Sequence, residues 1–144
     1  MKKNYKNLRS YRWFAPNDIR SFGHRSRAMQ IGYSKDDWYC KPIVGIINTW
    51  SDIQPCHIHF KSRVEDVKRG IFQMGGFPIE LPSISLAEMY VKPTTMLYRN
   101  MLSMEVEELI RSHPIDGVVL MGGCDKTTPA CLLYTSPSPR DTLL

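Results

Sequence analysis

No stretch of this chain approaches the ~18 consecutive apolar residues that a membrane-spanning helix needs. The longest apolar runs, Ile43–Ile47 and Val118–Met121, are strand-sized. No apolar segment follows the basic residues Lys2, Lys3, Lys6 and Arg9, so a secretory leader is not expected. Cysteine is sparse: Cys40, Cys56, Cys124 and Cys131 stand at wide, irregular spacing, which reads as reduced thiols in a cytoplasmic protein. The excess of one charge is small, 19 Lys+Arg against 14 Asp+Glu, or +5 at pH 7. Its basic residues, Arg20, His24, Arg25 and Arg27 among them, form no dense stripe interleaved with aromatics. Nucleic acid is therefore not an expected partner, and a basic pocket for a small acidic molecule fits better. Internal repeats are missing too. With 42% hydrophobic and 23% charged residues, the 144-residue chain is neither a disordered tail, a collagen-like rod nor a coiled coil, and its length suits one domain.

Along the chain, residues 1–15 read as an irregular lead-in. Pro16 is placed to open a short helix through Ile19, Phe22 and Arg25 to Met29, closed by Gly32. Ile43–Ile47 is a β-branched run suited to a strand buried on both faces. A polar loop follows, and Pro55 marks the expected start of a helix with Phe60, Val64, Val67 and Ile71 on one face. Phe77–Leu81 reads as a short strand and residues 82–93 as loop. A second amphipathic helix is predicted from Thr94 to His113, with Leu102, Val106, Leu109 and Ile110 apolar and Pro114 stopping it. Gly117–Met121 is the third strand. The βαβαβ order implies an α/β fold: a parallel sheet of βαβ units flanked by helices, with right-handed crossovers. The stretch from Tyr134 to Arg140 is turn-forming and is not expected to continue a helix, so residues 133–144 read as a foreign or disordered tail on a domain spanning 1–132.

Two cysteines fall at equivalent places, Cys56 at the expected start of the helix after the first strand and Cys124 just after the third. In open α/β sheets ligands bind beyond the carboxyl ends of the strands, and a helix N-terminus favours the thiolate that ligates metal. The plainer alternative is a pair of small buried hydrophobes. Asp125 and Lys126 follow Cys124 on a glycine-preceded turn, where they either build a cation or anion site or form a solvated surface turn. A lysine beside a metal acts as a base when its pKa is lowered, or as a ligand when its nitrogen is carboxylated. The segment Gly122 to Thr128 lacks the order and gap of a nucleotide P-loop. A zinc site from Cys56, His57, His59 and Cys124 is not expected either, because on a helix the two histidines differ by about 200°. Glu88 is a carboxylate in the loop between proline-rich segments.

Asn48-Thr49-Trp50-Ser51-Asp52, Pro55-Cys56-His57 and Gly122-Gly123-Cys124-Asp125-Lys126-Thr127-Thr128-Pro129 resemble the N-terminal domain of the dihydroxy-acid and phosphogluconate dehydratase family. Ser10 to Phe14, Phe22 to Arg27, Gly76 to Pro82 and Lys92 to Asn100 are similar to its sugar-acid branch, the arabinonate and xylonate dehydratases. The resemblance covers residues 8–132. It implies a hydro-lyase that removes water from a sugar acid to give its 2-keto-3-deoxy acid. It further implies a [2Fe–2S] cluster ligated by Cys56 and Cys124, and Mg²⁺ held by Glu88, Asp125 and Lys126, the lysine carboxylated and also assigned a catalytic role. His24, Arg25 and Arg27 are candidates to balance an anionic substrate. The family's third cluster cysteine, serine base and further carboxylate have no counterpart here: Cys131 follows the matched segment too closely and Cys40 reads as structural. The chain is therefore expected to be an inactive piece of a dimeric or tetrameric parent that acts on a small sugar acid and engages neither nucleic acid nor membrane. Exposed apolar surface is expected on the helix 94–113. Three alternatives stand beside this: a dihydroxy-acid dehydratase of branched-chain amino-acid synthesis, a stand-alone metal- or anion-binding module, and a plain structural α/β domain.

Overall fold

A computed structural model describes residues 5–135. Three parallel strands, β1 (Ile43–Asn48), β2 (Phe77–Pro82) and β3 (Gly117–Met121), form a sheet in the order β2-β1-β3. The helices are α1 (Tyr11–Phe14), α2 (Ile19–Gln30), α3 (Lys35–Trp38), α4 (Phe60–Gln73), α5 (Arg99–Ser112) and α6 (Thr127–Thr135), with 3₁₀ turns at Tyr5–Asn7 and Thr95–Tyr98. The expected α/β class and all three strands are present.

β1 takes the centre because its side chains can be buried on both faces. Ile43 pairs in register with Phe77, and Ile47 lies between Leu81 and Leu120. On one face Ile43 and Ile47 pack with Phe77, Ile115, Ala130, Cys131 and the α5 residues Leu102, Val106 and Ile110. On the other, Ile46 and Met121 meet Val64, with Phe60, Val67 and Ile71 of α4 around them. The spacing of the apolar residues on α4 and α5 thus sets which helix covers which face. Each fully buried aliphatic side chain contributes about 1.5–3 kcal/mol relative to its exposed state. Gly45 is the thin point of β1, since a Cβ there would stand 2.8 Å from Ile115 Cδ1.

Several expected boundaries move for identifiable reasons. The lead-in is not wholly irregular: Tyr11–Phe14 forms one helical turn, and Phe14 stacks on buried Trp38 with ring centroids 4.5 Å apart. α2 begins at Ile19 rather than Pro16, because the Asp18 carboxylate accepts the Ser21 N–H at 2.7 Å and caps the helix there. α4 begins at Phe60, not Pro55; residues 54–59 close turns instead, with the Gln54 carbonyl accepting from the N–H groups of His57 and Ile58 at 2.9 Å each. Tyr134 and Thr135 continue α6, correcting the expectation that this stretch could not be helical; Pro137, the first helix breaker in it, lies beyond them. The rest of the expected tail, 136–144, lies outside the described residues.

Candidate active site

The carboxyl ends of the three strands open onto three connections that meet one another. After β1, buried Thr49 donates its hydroxyl to the Met121 carbonyl at the end of β3, at 2.6 Å. Asn48 donates to Glu80 of β2 at 2.9 Å, and Glu80 also pairs with Lys68 of α4 at 2.8 Å. The loop after β2 is fixed at several points. Ser83 and Ile84 both donate to the Glu105 carboxylate of α5, at 2.7 and 2.9 Å. Gln54 Nε2 donates to the Leu86 carbonyl at 2.8 Å, and His57 Nδ1 hydrogen-bonds Ser85 Oγ at 2.9 Å.

Cys56 is exposed and lies in the 54–59 turn, four residues ahead of α4. The expectation that it opens that helix, and gains from its dipole, is corrected by this turn. Cys124 fits its expectation better. It is half-buried just ahead of α6, where its Sγ accepts the Thr127 N–H at 3.3 Å and its thiol reaches Thr127 Oγ1 at 3.0 Å. Between the two stands Gly123: a Cβ there would lie 2.6 Å from the Cys56 carbonyl oxygen and 3.3 Å from the His57 ring. The two thiol-bearing turns are in backbone contact because residue 123 has no side chain.

Glu88 accepts hydrogen bonds from Thr94 Oγ1 (2.7 Å), the Thr95 N–H (2.9 Å) and Thr95 Oγ1. These bonds, the Thr95 hydroxyl first, hold its carboxyl down at about 2. Lys126 donates to Asp125 at 2.7 Å and lies within electrostatic reach of Glu88 and Cys124. The Asp125 bond raises the Lys126 ammonium above its usual range, opposite to the direction a free-amine base requires. Cys124, Asp125, Lys126 and Glu88 thus share one neighbourhood, with the Cys56 turn against its edge. A small cleft beside them is lined by Leu86, Thr95, Tyr98, Arg99, Lys126 and Thr127.

Other candidates lie elsewhere. Arg25 donates to the carbonyls of Phe14 and Pro16 at 2.8 and 2.9 Å, and His24 hydrogen-bonds the Trp13 carbonyl at 3.1 Å, so both tie α2 to the segment before it. His24 and Arg27 line a separate cavity of about 460 Å³ with Phe77, Ile79 and Glu80. The proposed role of these three in balancing a substrate at the Cys124 site therefore has no contact behind it. Cys131 is buried in the core, where desolvation pushes its thiol up, and Cys40 is exposed. His57 is buried and His59 exposed, so the two do not converge on one ion. Sequence reasoning passed over Gln54, Ser85, Thr94, Thr95 and Thr127 as site residues; only the threonine pair carried a local signal, as turn formers after Pro93.

Residues 41–136 match the family model for the dihydroxy-acid/6-phosphogluconate dehydratase N-terminal domain. The chain belongs to this dehydratase family. It is 58% identical over 131 residues to 6-deoxy-6-sulfo-D-gluconate dehydratase of Pseudomonas putida, an alignment covering 91% of this chain and 23% of that protein. It is 51% identical over 126 residues to L-arabonate dehydratase of Azospirillum brasilense, covering 88% and 22%. With L-arabinonate dehydratase of Rhizobium leguminosarum bv. trifolii the identity is 44% over 126 residues, covering 88% and 22%. The chain thus spans under a quarter of the length of these relatives. Dehydratases of this family are hydro-lyases.

Among the described residues no three His, Cys, Asp or Glu side chains are close enough together to hold a metal ion by themselves. The donors nonetheless fit in kind what an iron–sulfur cluster and Mg²⁺ require: two free thiols on touching turns, one oriented by a helix N-terminus, beside a carboxylate held ionised. Among the described residues no helix is long and apolar enough to cross a membrane.

Proposed function

We propose that this chain is the cluster-bearing N-terminal part of a cytoplasmic hydro-lyase that dehydrates a sugar acid to a 2-keto-3-deoxy acid. The observation that carries the reading is the contact of Gly123 with the Cys56 carbonyl, which sets the turns bearing Cys56 and Cys124 against each other beside Glu88 and Lys126. In this reading Cys56 and Cys124 would ligate a [2Fe–2S] cluster together with a thiolate from outside this chain. Glu88, Asp125 and a carboxylated Lys126 would hold Mg²⁺, with Lys126 the catalytic member. When bound, these groups supply Lewis-acid chemistry at the leaving hydroxyl and at the substrate carboxylate. The chain's own residues prepare that site. Thr127 orients Cys124 Sγ and the two threonines keep Glu88 an oxygen donor, whereas the Asp125–Lys126 ion pair at 2.7 Å would have to open before the lysine is carboxylated.

A sugar acid is favoured over a branched-chain precursor by the relatives: the sugar-acid dehydratases above reach 44–58% identity, against 36% for a dihydroxy-acid dehydratase of Clostridium novyi. The parent is read as a homodimer or homotetramer with no nucleic-acid or membrane partner. The chain alone is expected to be inactive.

A chimera tests this. The corresponding N-terminal part of the Azospirillum brasilense enzyme is replaced by residues 1–132 of this chain, reconstituted anaerobically, and assayed for iron, acid-labile sulfide and 2-keto acid from L-arabinonate. Cluster and activity are expected, both lost in Cys124→Ser. A folded chimera that takes up no iron would overturn the reading, whereas one that loads its cluster but leaves every sugar acid untouched would overturn the substrate class.

A further inference from the structure

We propose that His57 is a positioning residue that locks the Cys56 turn, the Glu88 loop and the Gly123–Cys124 turn into a single arrangement. This rests on the reading of Cys56, Glu88 and Cys124 as the site's donor residues. His57 is completely buried and follows Cys56 directly, so its ring lies beneath the connections from all three strand ends rather than in the solvent-facing cleft. Its Nδ1 bonds Ser85 Oγ, three residues before Glu88 and 28 residues away in sequence. Its Cδ2 edge lies against Gly123, where a Cβ would come within 3.3 Å. Its ring also stacks on Phe60 at 5.4 Å, the first residue of α4. Gln54, on the same turn, adds a second tie to the Glu88 loop through the Leu86 carbonyl.

A residue selected for packing alone would be apolar here. Phe would also stack on Phe60, but would leave Ser85 unpaired. The ring also meets the backbone of Thr49, just past the end of β1. With Ser85 on Nδ1, the imidazole ties two site loops that no backbone ladder joins. Small side chains on both sides, Ser85 and Gly123, let one imidazole touch both loops.

The test needs no metal. Amide hydrogen exchange and thermal melting are measured on the 144-residue chain and on His57→Phe, His57→Asn and Ser85→Ala. In His57→Phe, exchange at residues 85–88 and 123–125 is expected to rise about tenfold or more while the strand amides of β1 stay protected. His57→Asn, smaller but able to bond Ser85, is expected to restore protection at 85–88. Ser85→Ala is expected to loosen 83–88 and leave 123–125 unchanged. Uniform loosening of strands and loops, with a matching drop in melting temperature in all three variants, would assign His57 to general stability and overturn the proposal. Unchanged exchange at 85–88 in both His57→Phe and Ser85→Ala would overturn it as well. Neither readout depends on cluster binding, so a failure of the dehydratase reading and a failure of this one are separately visible.

Discussion

At the scale of single residues, Glu88 shows how short polar side chains set the state of a candidate metal ligand. Hydrogen bonds from Thr95 and Thr94 favour its charged form, which holds it at about 2, below the ~4.3 of an unfolded chain. A depressed folded-state pKa contributes stability that is fully present above the unfolded value and is lost as the pH falls from ~4.3 through about 2. Thr95→Val is therefore expected to move the Glu88 titration upward, and to flatten the acid limb of the melting-temperature profile in that window. Carboxyl carbon chemical shifts across the titration check this; an unmoved Glu88 curve would show that the threonines are not the cause. Gly123 makes a second prediction. Gly123→Ala forces a methyl against the Cys56 carbonyl and is expected to cost about 1–3 kcal/mol in denaturant unfolding, as overpacking does. Gly117→Ala, with nothing within 4 Å of its Cβ, is expected to stay within about 0.5 kcal/mol.

At the scale of elements, one carboxylate fastens the amino-terminal edge of the sheet. Asp116 accepts the Ile43 N–H at 2.7 Å and the Ser10 N–H at 3.0 Å, joining the start of β1, the approach to β3 and the segment before α1. Asp116→Ala leaves a fully buried amide at Ile43 without its acceptor and is expected to destabilise the chain by about 2 kcal/mol. Equilibrium unfolding gives the number, and loss of protection at the Ile43 amide locates it. The strands, α4 and α5 were legible because their signals are local: β-branched runs, four-residue apolar spacing, and proline or glycine at the ends. The start of α4 was not. Pro55 looks like a first helical residue, but Gln54 and His57 are drawn to partners 32 and 28 residues away, and no local pattern encodes that. The same holds for the site. Cys56, Cys124, Glu88, Asp125 and Lys126 were picked out as chemistry, whereas Ser85, Thr95 and Thr127, which orient them, look like ordinary loop and cap residues until the fold brings them together.

At the scale of the whole molecule, the apolar surface expected on the second long helix is present. Met96, Leu97, Met101 and Met104 are each more than half exposed, as are Leu132 and Leu133 of α6. Surfaces of this kind drive association in water. The isolated chain is expected to sediment as concentration-dependent oligomers, and Met101→Lys with Met104→Lys to shift it toward monomer with its melting temperature retained within a few degrees. Sedimentation velocity over a concentration series reads this directly, and a monomer at every concentration would contradict it.

The two outer strands of the sheet carry a further consequence. β2 contains Pro78 and Pro82, which have no N–H to offer, so an incoming strand cannot form a continuous ladder along it. β3 reads Gly-Val-Val-Leu-Met, without proline or charge, and among the described residues it pairs only with β1. Its free side is the shape of a cross-β template. Aged samples of this chain are thus expected to nucleate fibrils from residues 117–121 rather than amorphous precipitate. Gly117→Lys, a gatekeeper charge at the exposed start of the unguarded strand, is expected to lengthen the thioflavin lag time.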